Sequence, residues 1–448
     1  MQPFGRAWWT GIATGTILTT MIIAPRIATF VMLLLLLLAV IEHYARRGLP
    51  RHPPAFEAAF LVVVAFAGWA MLSALWSPAP WHSLLKPVFM VLIAVAVWFA
   101  LRTVSTASRP FAHYFGEGAI TGIAVGYLLV CFEIVTDQLI TRTIMSAIPA
   151  THENISKHVT VDVHGTVTDV TNANLNRRMA ILTWLLWPAI MLALHDPSRI
   201  RRWIALVTVI GGAGIILVFG SHQSSQIAIL GGVVVYGLAS INLPATRIAL
   251  ASVWSIAVVF ALPIALMMSS ANLHNADWLF KSARHRVVIW STTAEEALKS
   301  PVLGVGADAT RTAMHAAMKR SESEETLGRM MVGYANHAHN AYLQVWYELG
   351  AIGAALFLAI GLFALRVIAR LKTALQPSAI ALFVTTSLLI AFSYSIWQTW
   401  FIAALGFAIV VFGVAARKRA DQIAHPGTAD VPEKTTGSLV ARRAKIAS

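Results

Sequence analysis

Two histidines separated by one residue, His337 and His339, stand immediately before an apolar run that opens "NAYLQVWYELGAIG". If a helix starts near Asn340, His339 lies at its N-terminal end, where the macrodipole disfavours imidazolium. A neutral imidazole there can accept a proton from a hydroxyl or hold one in place. The bland alternative is an interfacial histidine that only caps the helix. A metal site fits less well. Residues two apart do not share a helix face, and the loop offers neither an HExxH pattern nor a cysteine. A second group lies upstream, where Lys281, Arg284, His285 and Arg286 precede Val287, Trp290, Ala294, Ala297 and Leu298 at helical spacing. Basic side chains at the start of an amphipathic helix favour a phosphate or pyrophosphate. They could instead touch lipid head groups or pair with Glu295 and Glu296. Pro301 and Gly304 then end the helix.

These side chains need a frame, and composition says what kind. The chain of 448 residues is 57% hydrophobic and 12% charged, with a mean hydropathy of +0.69. One soluble core could not hide that much apolar surface, so the expected class is an all-α polytopic membrane protein. Fifteen tryptophans suit bilayer interfaces. No small-residue cleavage site is legible near the start, so the first apolar segment is expected to remain as a helix. The single cysteine, Cys131, cannot form an internal disulfide. The net charge of +14 is scattered between apolar segments. That pattern speaks for topology control and anionic lipid, not nucleic acid.

A span needs roughly 20 apolar residues. Twelve segments qualify: 8–24, 27–43, 56–76, 83–101, 117–137, 179–195, 203–220, 225–241, 248–269, 340–365, 378–395 and 397–416. Only Pro25 and Arg26 separate the first two, which predicts a tight helical hairpin or a re-entrant unit. With the N-terminus cytoplasmic, the arginines at 46, 47, 51, 102, 109, 199, 201, 202, 247, 366 and 370 fall inside. The short outer turns at 77–81 and 220–224 carry no Lys or Arg. Both termini are then cytoplasmic. The chain divides into spans one to nine over 1–269, a large periplasmic loop at 270–339, spans ten to twelve over 340–416, and a basic cytoplasmic tail at 417–448. A second long outer loop covers about 138–178, with Glu153 and Asp162 lacking evident partners. The polar stretch 318–329 reads as a solvated turn or lid. Gly350 and Gly353 share a helix face and predict close approach of a neighbouring helix. Glu348, about two turns inward, is an ionisable group in a span.

These residues resemble the bacterial O-antigen ligase family, in the O-antigen ligase and polymerase superfamily of membrane glycosyltransferases. His339-Asn340, nine residues, Gly350, two residues and Gly353 resemble that family's H-[N/S/Q]-x9-G-x-x-[G/T/Y] signature. "RVVIW" (286–290), "PVLGVG" (301–306) and "NLNRRMAILTWLLWP" (174–188) resemble further superfamily patterns. One departure stands out: where many relatives carry a Ser-Arg-Gly stretch, this chain reads "GSHQS", with His222 and no arginine. The resemblance implies a multi-span fold of the GT-C kind in the bacterial inner membrane, with a periplasmic site. It implies a glycosyltransferase that takes an O-antigen from undecaprenyl pyrophosphate to a sugar hydroxyl of lipid A–core, with inversion and without metal or cofactor. It implies His339 as base and Arg286 at the pyrophosphate. Arg284, Arg177, Arg311, Lys281, His337 and Asn340 are further substrate-binding candidates, and Trp290, Gly350 and Gly353 are motif positions. An O-antigen polymerase and a protein O-oligosaccharyltransferase would share the donor. A lipid-linked glycan flippase is the rival of another class, but its midplane charges and inverted repeats are not evident.

Overall fold

The computed structural model describes residues 4–45, 53–106, 108–148, 159–318 and 337–424. The segment 319–336, the Glu153 position and the tail from 425 lie outside them. The architecture is a helical membrane bundle. In chain order the helices are α1 (Phe4–Ile23), α2 (Ala28–Ala45), α3 (Pro54–Leu72), α4 (Pro80–Thr106), α5 (Arg109–Val135), α6 (Leu139–Ala147) and α7 (Ala173–Leu194). They continue as α8 (Arg199–Phe219), α9 (Gln223–Ile241), α10 (Leu243–Val259), α11 (Ala261–Ser270), α12 (Lys281–Ala297) and α13 (Thr310–Met318). The last three are α14 (Ala341–Arg370), α15 (Gln376–Phe392) and α16 (Thr399–Ala424). One antiparallel hairpin, β1 (Val159–Val161) and β2 (Val167–Val170), sits between α6 and α7. Asp162 turns it, its Oδ1 accepting from the backbone N–H of His164 and Thr166.

Local chemistry sets the helix ends. The side chains of Ser108, Ser198, Asn242 and Asn340 each accept a backbone N–H of the helix that follows, satisfying donors that no carbonyl inside the helix can reach. Nine helices among the described residues are long and apolar enough to cross a membrane. The expected single span 248–269 is instead α10 and α11, bent by 69° at Phe260. The expected first two spans are present as helices, but their described apolar parts, Trp8–Ile23 and Pro25–Leu35, are shorter than a full crossing. They do not form a tight hairpin: α1 lies along α5, while α2 lies along α4 and α16. The reason is steric. A Cβ on Gly118 would sit 2.0 Å from the Gly11 carbonyl oxygen, and one on Gly122 would sit 2.5 Å from that of Gly15. Glycines four apart on both helices thus let the α1 and α5 backbones touch. The final helix runs to Ala424, beyond the expected end at 416, so the basic tail begins as helix.

Burial identifies the centre of the bundle. In α7, 78% of the apolar window is buried, against 22% in α3 and in α4. Trp184 on α7 is fully buried and lies 4.4 Å, centroid to centroid, from Phe401 on α16. The helix that carries the candidate signature, α14, is broken. Gly350 has φ 62° and ψ −162° inside it, a left-handed conformation that only glycine adopts cheaply. The close neighbour predicted for Gly350 exists, but it is a loop, not a helix. A Cβ there would meet the Val302 carbonyl oxygen at 2.2 Å, and one on Gly304 would meet the Glu348 carbonyl carbon at 2.4 Å. The break frees backbone groups, and the loop answers them. Val305 N donates to Tyr347 O at 3.0 Å, Gly306 N to Glu348 O at 2.8 Å, and Ala351 N to Pro301 O at 2.9 Å. Trp69 Nε1 caps the Leu349 carbonyl at 3.0 Å. In hydrocarbon such pairing is obligatory, since no water replaces it. "PVLGVG" and the Gly350 break are therefore one structural unit that locks the loop after α12 to α14.

Candidate active site

The centre lies where three loops meet at one end of the bundle: the turn before α9, the residues before α14, and the turn 393–398 between α15 and α16. His339 sits just ahead of α14 with φ 49°. A non-glycine residue holds this left-handed region only with local support. His337 supplies it. Its Nδ1 accepts the His339 backbone N–H at 3.0 Å, and the two rings meet at a tilt of 54° with centroids 4.2 Å apart. Trp290 on α12 donates to the Ala338 carbonyl at 3.0 Å, so α12 grips the same three-residue turn. The His339 Nδ1 is 2.9 Å from the Ser393 carbonyl oxygen. A carbonyl can only accept, so the proton is on Nδ1 and the Nε2 lone pair is free to take another.

His222, the residue that replaces the expected arginine, joins this centre. It is buried, with its Nε2 3.2 Å from Ser393 Oγ and its Nδ1 2.7 Å from Ser225 Oγ. Ser393 thus meets one histidine with its side chain and the other with its backbone. Tyr394, the next residue, lies 5.7 Å from the His222 ring, centroid to centroid. Nothing in the sequence flagged Ser393, because its link to His339 is a backbone carbonyl that any residue type would offer.

The electrostatics are consistent with neutral rings. Burial lowers the pKa of His339, the Ser393 carbonyl works against that, and the Arg286 charge lowers it further. Burial, with help from Arg286, takes His222 down to about 3. Burial, then His339, hold His337 well below the ordinary imidazole range. Arg286, half-buried on the first turns of α12, is thus within electrostatic reach of both His339 and His222. Burial also lowers its own pKa, from so high a starting value that the guanidinium stays charged.

The other candidates scatter. Arg284 faces away, with Nη1 3.1 Å from the exposed Asp277 carboxylate. Lys281 is exposed at the first residue of α12, and Arg311 is exposed on α13. Asn340 spends its side-chain oxygen on the cap of α14, accepting from Tyr342 N at 2.9 Å and Leu343 N at 3.2 Å. Arg177 lies at the start of α7, within electrostatic reach of Tyr394. Neither Glu295 nor Glu296 takes up the α12 arginines; Glu296 pairs with Lys299 at 2.7 Å. Glu348 is fully buried and structural. It accepts from Thr310 Oγ1 at 2.5 Å, from the Asp308 backbone N–H at 3.1 Å, and from Gln344 and Trp397. It ties α13 and the turn before α16 to α14. Among the described residues, no three His, Cys, Asp or Glu side chains converge as a metal-ligand set.

The neutral histidines make stability depend on pH. A free imidazole titrates near 6.5, whereas His222 holds its proton only below about 3. Between those values the unfolded chain binds more protons, so stability falls as pH drops through this window. Each such proton contributes a slope of up to about 1.4 kcal/mol per pH unit. Thermal melts of the detergent-solubilised protein from pH 7.5 to pH 5 are expected to show a falling midpoint, with a shallower fall in His222→Asn. Parallel slopes for the two proteins would refute a neutral, buried His222.

Comparison with known proteins now bears on this centre. The sequence model of the family described as "O-Antigen ligase" matches residues 205–358, a stretch that contains His222, Arg286 and His339. Over that third of its length the chain is similar to the O-antigen ligase family. It is 25% identical over 349 residues to a proposed polysaccharide ligase of Rickettsia prowazekii, covering 75% of this chain and 76% of that protein. It is 24% identical over 360 residues to one from Rickettsia bellii, covering 77% and 78%. A shorter match to one from Rickettsia conorii reaches 32% identity over 125 residues, or 27% of this chain and 29% of that protein. The similarity to the O-antigen ligase family agrees with the multi-pass membrane fold. The family match also covers the α12 helix, the "PVLGVG" loop and the Gly350 break, the parts that hold His339 in place.

Proposed function

We propose that the protein is an O-antigen ligase that transfers a polysaccharide from undecaprenyl pyrophosphate to a sugar hydroxyl of lipid A–core. It works at the periplasmic face of the bacterial inner membrane, with both termini cytoplasmic. The observation that carries this reading is the state of His339: Nδ1–H is given to the Ser393 carbonyl, and Nε2 is left as a base within reach of the Arg286 field. In the proposed step Nε2 takes the proton of the acceptor hydroxyl. The acceptor oxygen forms a bond to the anomeric carbon as the bond from that carbon to the diphosphate oxygen breaks. The electron pair leaves on the diphosphate, and the configuration inverts. Arg286 stabilises the charge that grows there. The imidazolium then returns its proton to solvent. Diphosphate is already a good leaving group, so a base at one end and a cation at the other are the parts the reaction needs. No step asks for a metal, a nucleotide or a carboxylate.

The test is a strain lacking the protein, with its lipid-linked glycans and lipopolysaccharide analysed. Long polysaccharide stranded on undecaprenyl pyrophosphate, with bare lipid A–core, is the expected result. Single-repeat glycans would make the protein a polymerase. Glycan missing from a pilin-type protein would make it an O-oligosaccharyltransferase. Glycan trapped on the cytoplasmic face would make it a flippase.

A further inference from the structure

A cavity of about 290 Å³ opens beside the 3-10 turn Pro25–Ile27 that joins α1 to α2. Its walls come from that turn, the β hairpin and the first turn of α7, at the end of the bundle that carries His339. Three guanidinium groups line it, those of Arg26, Arg177 and Arg178. Arg178 is committed to the fold. Its Nη1 is 3.8 Å from the buried Glu133 carboxylate, and its Nε donates to Ile23 O at 2.9 Å. Arg26 and Arg177 have no carboxylate partner among the described residues. Arg177 Nη1 donates to Asn174 Oδ1 at 2.8 Å, while its Nε is buried with no acceptor. The two cations repel each other.

Two unneutralised guanidiniums, one with an orphaned N–H, converge at the open N-terminus of a 22-residue helix. An anion between them would turn repulsion into attraction and meet the helix dipole. Phosphate fits the fork geometry of arginine best. Ile23, Met145, Val159 and Val170 give the cavity an apolar side, which suits the ring or chain that carries the phosphate. Arg177 is within electrostatic reach of Tyr394, the neighbour of the His222 ring, yet the cavity's cations are not Arg286.

We propose that this cavity is a second phosphate subsite, held by Arg26 and Arg177, for a phosphate group borne on a glycolipid substrate. The substrate assignment rests on the transferase reading above; phosphate binding itself does not. The experiment therefore reads binding, not transfer. Full-length protein carrying Arg286→Gln, in phosphatidylcholine nanodiscs, is titrated calorimetrically with inorganic pyrophosphate. Binding is expected to persist, to weaken with salt, and to fall about tenfold in each of Arg26→Gln and Arg177→Gln, as expected for one lost charge-assisted hydrogen bond. Arg26 is exposed in a turn, so its variant keeps the test valid if Arg177→Gln fails to fold. Arg26→Lys should restore part of the loss. Binding abolished by Arg286→Gln alone, or unmoved by Arg26→Gln, would overturn the proposal. Repeating the titration in phosphatidylglycerol nanodiscs separates the sources. Unchanged affinity supports a substrate-borne phosphate, and a tenfold loss would assign the cavity to bulk lipid head groups and overturn the substrate assignment.

Discussion

Replacing His339 with alanine is expected to slow transfer from a lipid-linked donor to lipid A–core by about 10²–10⁴-fold, the range of a positioned general base. The loss should appear in kcat, with donor binding nearly unchanged, because the imidazole is proposed to act on the acceptor hydroxyl alone. The fold should survive. Among the described residues the His339 side chain hydrogen-bonds the Ser393 carbonyl, whereas the turn is held mainly by His337 and Trp290. Glutamine is the sharper probe. It can fill the same space and donate to the Ser393 carbonyl, but it cannot take a proton. Reconstituted protein with purified donor and acceptor gives the measurement. Turnover within a few-fold of wild type in His339→Gln would remove proton transfer from His339 and leave it an anchor for the 393 turn.

The parts of this centre differ in how plainly the sequence announces them. Apolar runs of span length are the strongest signal a chain carries, and most of the bundle is legible from them. The amphipathic face of α12 is legible from its helical spacing, with Val287, Trp290, Ala294 and Ala297 all buried, but Leu298, expected on the same face, lies past the helix end and is exposed. Asn340 offers two readings, since a signature position before an apolar run is also the place for an N-cap, and the cap is what its side chain does. The Gly350 break is hidden, because glycine in a span reads equally as a close helix contact. What decides is the "PVLGVG" loop some 45 residues upstream, whose N–H groups meet the freed carbonyls. The pairing of α1 with α5 was visible in principle as glycines four apart in both, 11 and 15 against 118 and 122. Ser393 was not visible at all, since a backbone carbonyl leaves no mark on residue type. His222 stood out only as a missing arginine, and its burial between Ser225 and Ser393 follows from tertiary packing.

Arg286→Ala is expected to lower transfer by about 10²–10³-fold, the scale of losing one preorganised group that stabilises developing charge. Arg286→Lys should recover part of this and not all, because a point charge cannot grip two phosphate oxygens as a guanidinium fork does. A second readout separates a chemical role from mere support of α12. Arg286 lowers the pKa of both His339 and His222 through its charge. Removing that charge should raise both, so the acid limb of the pH–rate profile should move to higher pH in Arg286→Ala and stay near its wild-type position in Arg286→Lys. A structural defect alone would reduce the rate without moving the limb. Trp290 gives the matching control. It lies one turn further along α12 and reaches the His339 turn only by donating to the Ala338 carbonyl. Trp290→Phe should therefore slow the reaction with its pH limb in place. If Arg286→Ala behaves as Trp290→Phe does, the cation near the imidazole is scaffolding, and the leaving diphosphate must be held by other groups, with Arg26 and Arg177 the first to examine.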